Sequence, residues 1–475
     1  MSKYSAKDGV GQLTFTFWLP REQKDGTEET QDNGPDASQA AVAAGSSKER
    51  KRKWHSLIDK VYSLPNLWSA WQKVKANGGA SGVDKMSVPR FDENALPRIE
   101  QLRDDLRNKT YRPQAVRRVY IPKSGGGKRP LGIPTVRDRI VQQALLQILS
   151  PIFESKFSNR SHGFRPERGC DTALFVVDRA VRYGYTWVVD ADIRSFFDTV
   201  DQEKLLDAVA EEVADGRVLR LIRQVLRAGV VEPETTEVEP TELGTPQGGP
   251  LSPLLANIYL HRLDARMVGA GYGLVRYADD FVVFAKSESE AAAALSLAQR
   301  VLEGELGLAL HPEKTRVVSV AHGFEFLGFH YFRDPKSGRF IKEVRRKSVA
   351  RFREAVRQRT PRLRTQRRVR PKNVTLSRLR KNQRLGAIIA DLNRFQAGWH
   401  GYFKQLWSWR PRLPFCSYDD FVRRRVRLAI VGRVGNGWWN QRITNTMLRE
   451  LGLVPLNELH RQYQEGRLRA SVRQD

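Results

Sequence analysis

Two pairs of carboxylates, far apart in the chain, are the residues with the clearest capacity for chemistry. Asp279 and Asp280 stand side by side between two apolar runs, Leu274-Val275 and Phe281 to Phe284, a pattern typical of a β-hairpin with acids at its tip. Adjacent carboxylates repel each other, and a divalent cation with oxygen ligands relieves that repulsion. The tetrapeptide that begins at Tyr277 therefore indicates metal-assisted chemistry if partner acids exist elsewhere, and an ordinary solvated turn if they do not.

The partner acids lie upstream, in the apolar run from Trp187 to Ile193. Asp190 and Asp192 are two residues apart, so the period of a β-strand places both on one face while the other face is apolar. A surface strand with polar alternation is the alternative. Together with the two acids of the hairpin, these acids form the kind of carboxylate set that two-metal phosphoryl transfer requires, in which carboxylates hold two divalent ions roughly 4 Å apart. Neighbours in a turn point in different directions, so we expect Asp279 and Asp280 to be unequal, with Asp279 as the partner of Asp192.

A glycine- and proline-rich turn separates the two acidic elements. It begins at Gly244, and a helical pattern follows from Leu254 to Leu263. Gln247 is thereby placed near a helix start, where backbone N–H groups are free, and the glycines beside it allow close approach of a ligand. The stretch predicts a ligand-binding turn next to the acids.

The charge of the chain indicates the class of partner. There are 81 Lys and Arg against 53 Asp and Glu, a formal charge of +28, and such a surface attracts polyanions, nucleic acid above all. No stretch approaches the roughly 18 apolar residues of a spanning helix and no secretory signal is evident, so we expect a cytoplasmic protein without a membrane partner. The two cysteines, Cys170 and Cys416, cannot build a disulfide framework or a cysteine zinc site and are interpreted as ordinary thiols.

Positive charge is concentrated between Lys342 and Lys372. This run holds fourteen Lys or Arg against Glu343 and Glu354, more than solubility requires. We interpret it as a groove for a polyphosphate backbone, with a solvated face as the alternative.

Composition also divides the chain, whose length predicts two or three packed units. The polar first 53 residues are expected to be mostly disordered and end in a basic run. Apolar spacing from Trp54 to Asn77 predicts one basic amphipathic helix, which Gly78 ends. A short strand-like run is expected from Phe324 to Phe332.

The elements and their order resemble the palm of a reverse transcriptase, and specifically of a bacterial group II intron reverse transcriptase and maturase. The palm resemblance depends on Trp187 to Asp198, Gly244 to Asn257 and the Tyr277 hairpin. Upstream, Gly79 to Asp84 is similar to the family's N-terminal extension, and Tyr120 to Lys123 and Arg129 to Pro134 are similar to its fingers. Downstream, Leu327 to Phe329 is similar to the start of its thumb, and Leu392 to Phe403 is similar to its maturase domain.

The resemblance implies an α+β fold: a right-hand polymerase with fingers, an antiparallel palm sheet and a helical thumb, plus a helical maturase domain. The implied division is an N-terminal segment at 1–53, extension helices at 54–110, fingers and palm at 111–325, a basic thumb at 326–385 and a maturase domain at 386–475. The zinc-binding endonuclease domain that many relatives carry, with paired Cys-x-x-Cys or His and Asn signatures, is not expected here.

The family's functional residues can be placed on matching positions of this chain. Asp192, Asp279 and Asp280 match the catalytic aspartates that hold two Mg²⁺ ions, and Asp190 becomes their neighbour. The other matches are Lys314, placed to protonate or neutralise pyrophosphate; Lys123 and Arg129, which clamp the triphosphate; Phe197, a steric gate against a ribose 2′-OH; and Gln247, beside the incoming nucleotide.

Interleaved cations and aromatics in the last third resemble single-stranded RNA contacts. The candidates are Arg345, Arg346, Lys347, Arg394, Trp399, Tyr402 and Lys404, and for Trp399 a place in the core is an equal alternative. The Gly-rich run from Ser124 to Lys128 lacks the spacing of a P-loop and is interpreted as a hairpin turn.

The implied function is RNA-directed DNA synthesis from dNTPs on an RNA template with a DNA primer, and binding of the host intron RNA for splicing and mobility. One alternative is a related reverse transcriptase used in phage defence, CRISPR-linked RNA capture or DNA repair, which the flanking DNA would distinguish. The other is a polymerase-inactive RNA-binding splicing factor, which the intact set of Asp192, Asp279 and Asp280 disfavours.

Overall fold

The computed structural model describes residues 53–122, 127–235, 237–363, 374–406, 414–431 and 442–471. The expected disorder of the first 53 residues falls almost wholly outside these ranges, as do Lys123 and the part of the basic run at 364–373. Within the described ranges no helix is long and apolar enough to cross a lipid bilayer.

Helices dominate both ends of the described part of the chain. In order they are α1 Ile58–Val61, α2 Leu64–Asn77, α3 Val88–Asp92, α4 Ala95–Arg107, α5 Val136–Glu154, α6 Cys170–Arg182, α7 Phe196–Thr199, α8 Gln202–Ala210, α9 Gly216–Leu226, α10 Ser252–Gly269, α11 Glu288–Gln299 with a π-helical continuation at Arg300–Leu306, α12 Arg346–Arg359, α13 Leu376–Arg380, α14 Gln383–Phe403, α15 Cys416–Val431, α16 Asn445–Glu450 and α17 Leu456–Ser471.

Among the described residues the strands form three sheets, and the mixed α and β content confirms the predicted fold class. They are β1 Val116–Pro122, β2 Lys128–Ile133, β3 Trp187–Asp192, β4 Val230–Val231, β5 Val238–Glu239, β6 Gly273–Tyr277, β7 Asp280–Ala285, β8 Arg316–Ser319, β9 Phe324–Phe326, β10 Phe329–Arg333 and β11 Phe340–Val344. The sheet orders are β2-β1-β4-β5, β6-β7-β3-β8 and β11-β10-β9.

The first helical segment differs from the sequence prediction. Residues 54–77 form α1 and α2 rather than one helix, because Ser63 adopts an extended conformation and Pro65 lies in the first turn of α2, where a missing N–H costs nothing. Gly78, with φ 63°, ends α2 as predicted. The start of α1 is fixed by Asp215, whose Oδ2 accepts hydrogen bonds from the backbone N–H groups of Leu57 and Ile58 at 2.7 and 2.9 Å.

The first sheet contains the predicted Gly-rich hairpin. Strands β1 and β2 are antiparallel with Pro122 opposite Lys128, which confirms that the Gly-rich run joins two strands. Arg129 lies opposite Ile121.

The central sheet is fully antiparallel and carries the acids. Val188, Val189 and Ala191 of β3 are completely buried, because β3 lies between β7 and β8 while α11 packs on the sheet. The buried helix α10 packs beside α8 and β6. In the inner strand pair of this sheet β3 ends in Asp192 and β7 begins with Asp280, so the acids lie together at one end of two buried apolar strands.

The third sheet corrects a second prediction. The run from Phe324 to Phe332 is not one strand but the two antiparallel strands β9 and β10, joined at Leu327 and Gly328, which have φ of 44° and 83°. Strand β11 completes this sheet, and α12 follows directly.

Two large hydrophobic clusters lie within the described ranges. The larger runs from Leu57 to Leu310 and joins the N-terminal helices to the central sheet. The smaller runs from Phe352 to Leu456 and joins α12 to the later helices. The predicted division of the chain into five parts stays a proposal. Because each cluster contains residues from more than one predicted part, those parts pack together.

Candidate active site

The acidic hairpin is a tight turn between β6 and β7. Tyr277 pairs with Asp280, so the turn consists of Ala278 and Asp279, and Ala278 has φ 58°. This confirms the hairpin predicted from sequence. Across the sheet, Asp280 lies directly opposite Asp192 of β3, which brings the two acidic elements together.

A buried arginine holds the turn in place. Arg276 and Asp264 are both 0 % exposed; Arg276 Nε donates to Asp264 Oδ1 at 2.7 Å and Nη2 to Oδ2 at 2.5 Å. Arg276 Nη1 also donates to the carbonyl of Ala278 at 2.8 Å and to Asn257 Oδ1 at 3.1 Å. The side chains of α10 therefore fix the backbone that presents Asp279.

A close backbone contact supports the turn from the other side. A Cβ atom on Gly163 would lie 2.5 Å from the Ala278 nitrogen, so only glycine fits there. The Gly163 carbonyl accepts a hydrogen bond from Asn257 Nδ2 at 2.8 Å. The segment before α6, α10 and the hairpin are thus in direct contact with one another.

The electrostatics of the acids reflect their crowding. Burial, followed by the charges of Asp190, Asp279 and Asp192, raises the pKa of Asp280 to about 7. Burial also raises the pKa of Asp279, whose other charged neighbours are Asp192, Arg129 and Arg276. The two hairpin acids therefore differ in their surroundings. In the pairing of β3 with β7 the residue opposite Asp192 is Asp280, so the assignment of Asp279 as the partner of Asp192 stays a prediction.

Asp190 is paired with an arginine of β8. Burial raises its pKa to about 6, and Arg316 Nη2 lies 3.2 Å from its Oδ2. This agrees with its interpretation as a neighbour and not a ligand.

Asp192 is bracketed by the segment before β8. Lys314 Nζ lies 2.6 Å from Asp192 Oδ2, and the backbone N–H of His311 donates to the Asp192 carbonyl at 2.8 Å. The Lys314 side chain is 59 % exposed, so its ammonium group faces the open cleft while it contacts the acid. The structure thus places Lys314 at the acids, where the resemblance put it.

One cleft of about 500 Å³ brings the predicted residues together. Seven of the eight predicted catalytic and nucleotide-binding residues line it: Asp192, Asp279, Asp280, Lys314, Arg129, Phe197 and Gln247. The eighth, Lys123, lies outside the described residues. The placement agrees with the predicted roles, which themselves stay predictions.

The nucleotide-side residues are positioned by the first sheet and by α7. The carbonyl of Gln247 accepts a hydrogen bond from the Gly132 N–H at 2.7 Å, which ties the turn to the end of β2 near Arg129. Phe196 is buried, as predicted for a core residue, while Phe197 is half-buried and faces the cleft.

Sequence reasoning missed several cleft residues. Phe164, Arg194, Ser195 and Leu327 line the cleft but were not proposed as site residues. For Phe164, the available signal was the aperiodic stretch from Ser161 to Pro166, where glycine, an aromatic and arginine stand together outside any helix or strand pattern.

The predicted RNA-binding residues divide into two groups. Arg346 and Lys347 are exposed at the start of α12, Arg345 is half-buried, and the Arg394 side chain is 75 % exposed beside Asp391. Lys404 lies over the Tyr463 ring, 4.9 Å from its centroid. The exposed members of this group, Arg346, Lys347 and Arg394, are available to a polyanion.

The aromatic candidates are engaged within the protein. Trp399 packs against Phe352, Phe403 and Tyr418 with ring centroids 4.6 to 5.0 Å apart, so the structure favours its core alternative. Tyr402 is 39 % exposed and its hydroxyl donates to the Leu327 carbonyl at 2.9 Å.

One member of the basic run does not belong to a surface groove. Lys342 is 0 % exposed, and its Nζ lies 3.0 Å from Asp178 Oδ2 and 4.8 Å from the centroid of the Phe329 ring. Its inclusion in the polyphosphate groove was wrong, because Lys342 lies on β11 and its ammonium group is buried against Asp178 of α6.

The acids fit a divalent cation that is shared with a substrate. Within the described ranges no group of three or more His, Cys, Asp or Glu forms a preassembled metal cage. Mg²⁺ characteristically takes one or two carboxylates and completes its shell with water and substrate phosphates. Burial raises the pKa of Asp279 and Asp280, and neighbouring carboxylates raise it further, so a bound cation would favour their ionised forms.

The antiparallel sheet, its acidic hairpin and the cationic cleft define a nucleic-acid polymerase palm. Comparison with known proteins gives the same class: residues 121–331 match the family described as reverse transcriptase (RNA-dependent DNA polymerase). The chain is 36 % identical over 290 residues to protein YkfC of Escherichia coli, covering 53 % of this chain and 76 % of that protein.

A second relative narrows the class. The group II intron-encoded protein LtrA of Lactococcus lactis is 43 % identical over 198 residues, which cover 41 % of this chain and 32 % of LtrA. The match thus spans about a third of LtrA. A solved partial Cas6-RT-Cas1–Cas2 complex matches 53 % of this chain and 42 % of that chain at 25 % identity, with a TM-score of 0.35, too low to bear on function.

The chain belongs to the reverse transcriptase family. Within that family it is a member of the group II intron reverse transcriptases and maturases, as the sequence motifs predicted.

Proposed function

We propose that this protein extends a DNA primer on an RNA template by two-Mg²⁺ nucleotidyl transfer. The observation that carries the proposal is the convergence in one cleft of Asp192, Asp279, Asp280, Arg129 and Gln247, which come from separate stretches of the chain. An acid cluster that can hold divalent cations, beside an arginine, suits the binding of a nucleoside triphosphate.

Three cleft residues have separate roles in nucleotide binding and pyrophosphate release. Arg129 presents a planar fork to phosphate oxygens, and Phe197 fills the space that a ribose 2′-OH would need. Lys314 exchanges its contact with Asp192 for the departing pyrophosphate, to which its ammonium group supplies positive charge or a proton.

Asp192, Asp279 and Asp280 are the residues that would hold the metal ions. When bound, Mg²⁺ supplies charge neutralisation at the attacking and leaving oxygens. The Arg276 contact to the Ala278 carbonyl keeps the hairpin acids in position before any substrate arrives.

The template and the cognate RNA follow from the family and from the charge. The exposed cations Arg346, Lys347 and Arg394 are suited to the phosphate backbone of a structured RNA. We infer that this RNA is the host group II intron, whose splicing and mobility the protein assists.

The test separates polymerisation from RNA binding. Asp279→Ala is expected to reduce extension of a DNA primer on an RNA template to background, because a metal-binding carboxylate is lost, while intron RNA binding in a filter assay keeps its Kd. The matched control is Asp92→Ala, an exposed acid outside the cleft, which should leave both unchanged. Extension by Asp279→Ala at the wild-type rate would refute the active-site assignment.

A further inference from the structure

Phe164 combines two unfavourable features at the edge of the cleft. Its backbone has φ 56°, a left-handed conformation that bulky side chains rarely adopt, and its side chain is 56 % exposed although it is large and apolar. Strained residues of this kind cluster at functional sites, where the surrounding structure enforces them. Packing does not account for a ring that faces solvent.

The residue after Phe164 is firmly anchored. Arg165 is 7 % exposed, forms an ion pair with Glu154 at 2.6 Å, and donates to the carbonyls of Ser158 and Ser161 at 2.5 and 2.8 Å.

The residues before Phe164 are fixed to the catalytic hairpin. The backbone N–H of His162 donates to the Arg276 carbonyl at 2.9 Å, and Gly163 packs against the Ala278 nitrogen. Both neighbours of Phe164 are therefore pinned, and the ring between them is held out into the cleft.

The ring stands beside the hairpin that carries the acids. Its centroid lies 6.3 Å from the Tyr277 ring at an interplanar angle of 41°. Tyr277 precedes the turn that carries Asp279, and Leu327, at the start of the predicted thumb, lines the same cleft. An apolar ring at this place suits a base or sugar face, because it offers nothing to a phosphate.

We propose that Phe164 is a primer-binding residue that contacts the 3′-terminal nucleotide of the primer. The proposal rests on the polymerase function given above. In that reaction the primer's 3′ oxygen must reach the acids, so the nucleotide that bears it lies against the side of the hairpin where Phe164 projects. Contact with a ring face tolerates any base, as a polymerase requires.

The test measures primer binding separately from nucleotide binding. The probe is a fluorescein-labelled DNA primer with a dideoxy end, annealed to an RNA template, and binding is followed by fluorescence anisotropy with the full chain. Phe164→Ala is expected to raise Kd about tenfold, the size of one lost stacking contact, while the KM for dNTP in primer extension stays unchanged. Phe164→Tyr, which keeps the ring, should retain the wild-type Kd.

Two further variants separate binding from folding. Phe175→Ala removes an equally exposed phenylalanine, 54 % exposed on α6 and not part of the cleft wall, and should leave Kd unchanged. Phe164→Gly should raise Kd as Phe164→Ala does yet keep or increase the Tm, because glycine adopts positive φ without strain.

The outcomes distinguish this inference from the proposed function. Wild-type Kd in both Phe164→Ala and Phe164→Gly, or a change confined to the KM for dNTP, would overturn the primer contact. An inactive wild-type protein would instead overturn the polymerase function.

Discussion

The buried ion pair between Arg276 and Asp264 offers the sharpest test of how the hairpin is held. Both side chains are 0 % exposed, and Arg276 also donates to the Ala278 carbonyl at 2.8 Å. The pair therefore contributes to the fold through Asp264 and to the site through Ala278. Substitutions can separate these two contributions.

The single variant Arg276→Met is expected to destabilise the protein strongly. It leaves the Asp264 carboxylate buried without its cation, and breaking a buried pair in this way costs about 3–5 kcal/mol. The control is Arg262→Met, which removes the arginine of an exposed pair with Glu305; Arg262 lies on α10, the helix that carries Asp264. Exposed pairs contribute about 0–1 kcal/mol, so the control should unfold almost as the wild type does.

The double variant Arg276→Met with Asp264→Leu is expected to recover most of that stability. Replacing both charges with apolar groups removes the unpaired carboxylate, and such replacements are often neutral. The Ala278 carbonyl still lacks its donor, so the turn is no longer fixed. A small displacement of a reacting group costs about a hundredfold in rate, and we expect a loss of about ten- to a hundredfold.

Two assays decide between the outcomes. Urea unfolding followed by tryptophan fluorescence gives the free energy of unfolding, and single-turnover primer extension gives the rate. Wild-type stability of Arg276→Met would show that the pair is unimportant to the fold. A wild-type rate in the stable double variant would refute the positioning of the hairpin by Arg276.

Two further predictions concern groups whose pKa is shifted. Burial and neighbouring carboxylates raise the pKa of Asp280 to about 7, so ionisation of this group destabilises the folded protein as the pH rises from about 4 to 7. Asp280→Asn should therefore raise the Tm at pH 8 while it abolishes primer extension. A lower Tm of this variant at pH 8 would contradict this account. Burial lowers the pKa of His400 to about 4, and its Nε2 lies 3.3 Å from His460 Nδ1, so stability is full above pH 6.5 and is lost as the pH falls toward 4. We expect this histidine to remove about 2 kcal/mol of unfolding free energy between pH 7.5 and pH 5, and His400→Gln to reduce that pH dependence in urea titrations, whereas an unchanged dependence would show that other groups cause it.

The amino-acid sequence determined the chemistry and its local supports. The acids after two apolar strands, the Gly244 turn followed by α10 and the Gly-rich hairpin all appeared where the patterns placed them. These features depend on alternation, turn residues and helix starts, which act over a few neighbours along the chain. Such short-range preferences are written in the sequence and need no tertiary contact to be recognised.

Only the tertiary structure decided which similar residues do different things. Lys342 looked like the other cations of its run, yet it is buried against Asp178, and Trp399 looked like an RNA contact, yet it packs among aromatic rings. Phe164 looked like any apolar residue and is exposed in the cleft. Burial and exposure depend on segments far away in the chain, here α6, α12 and the catalytic hairpin, so no local pattern can assign them.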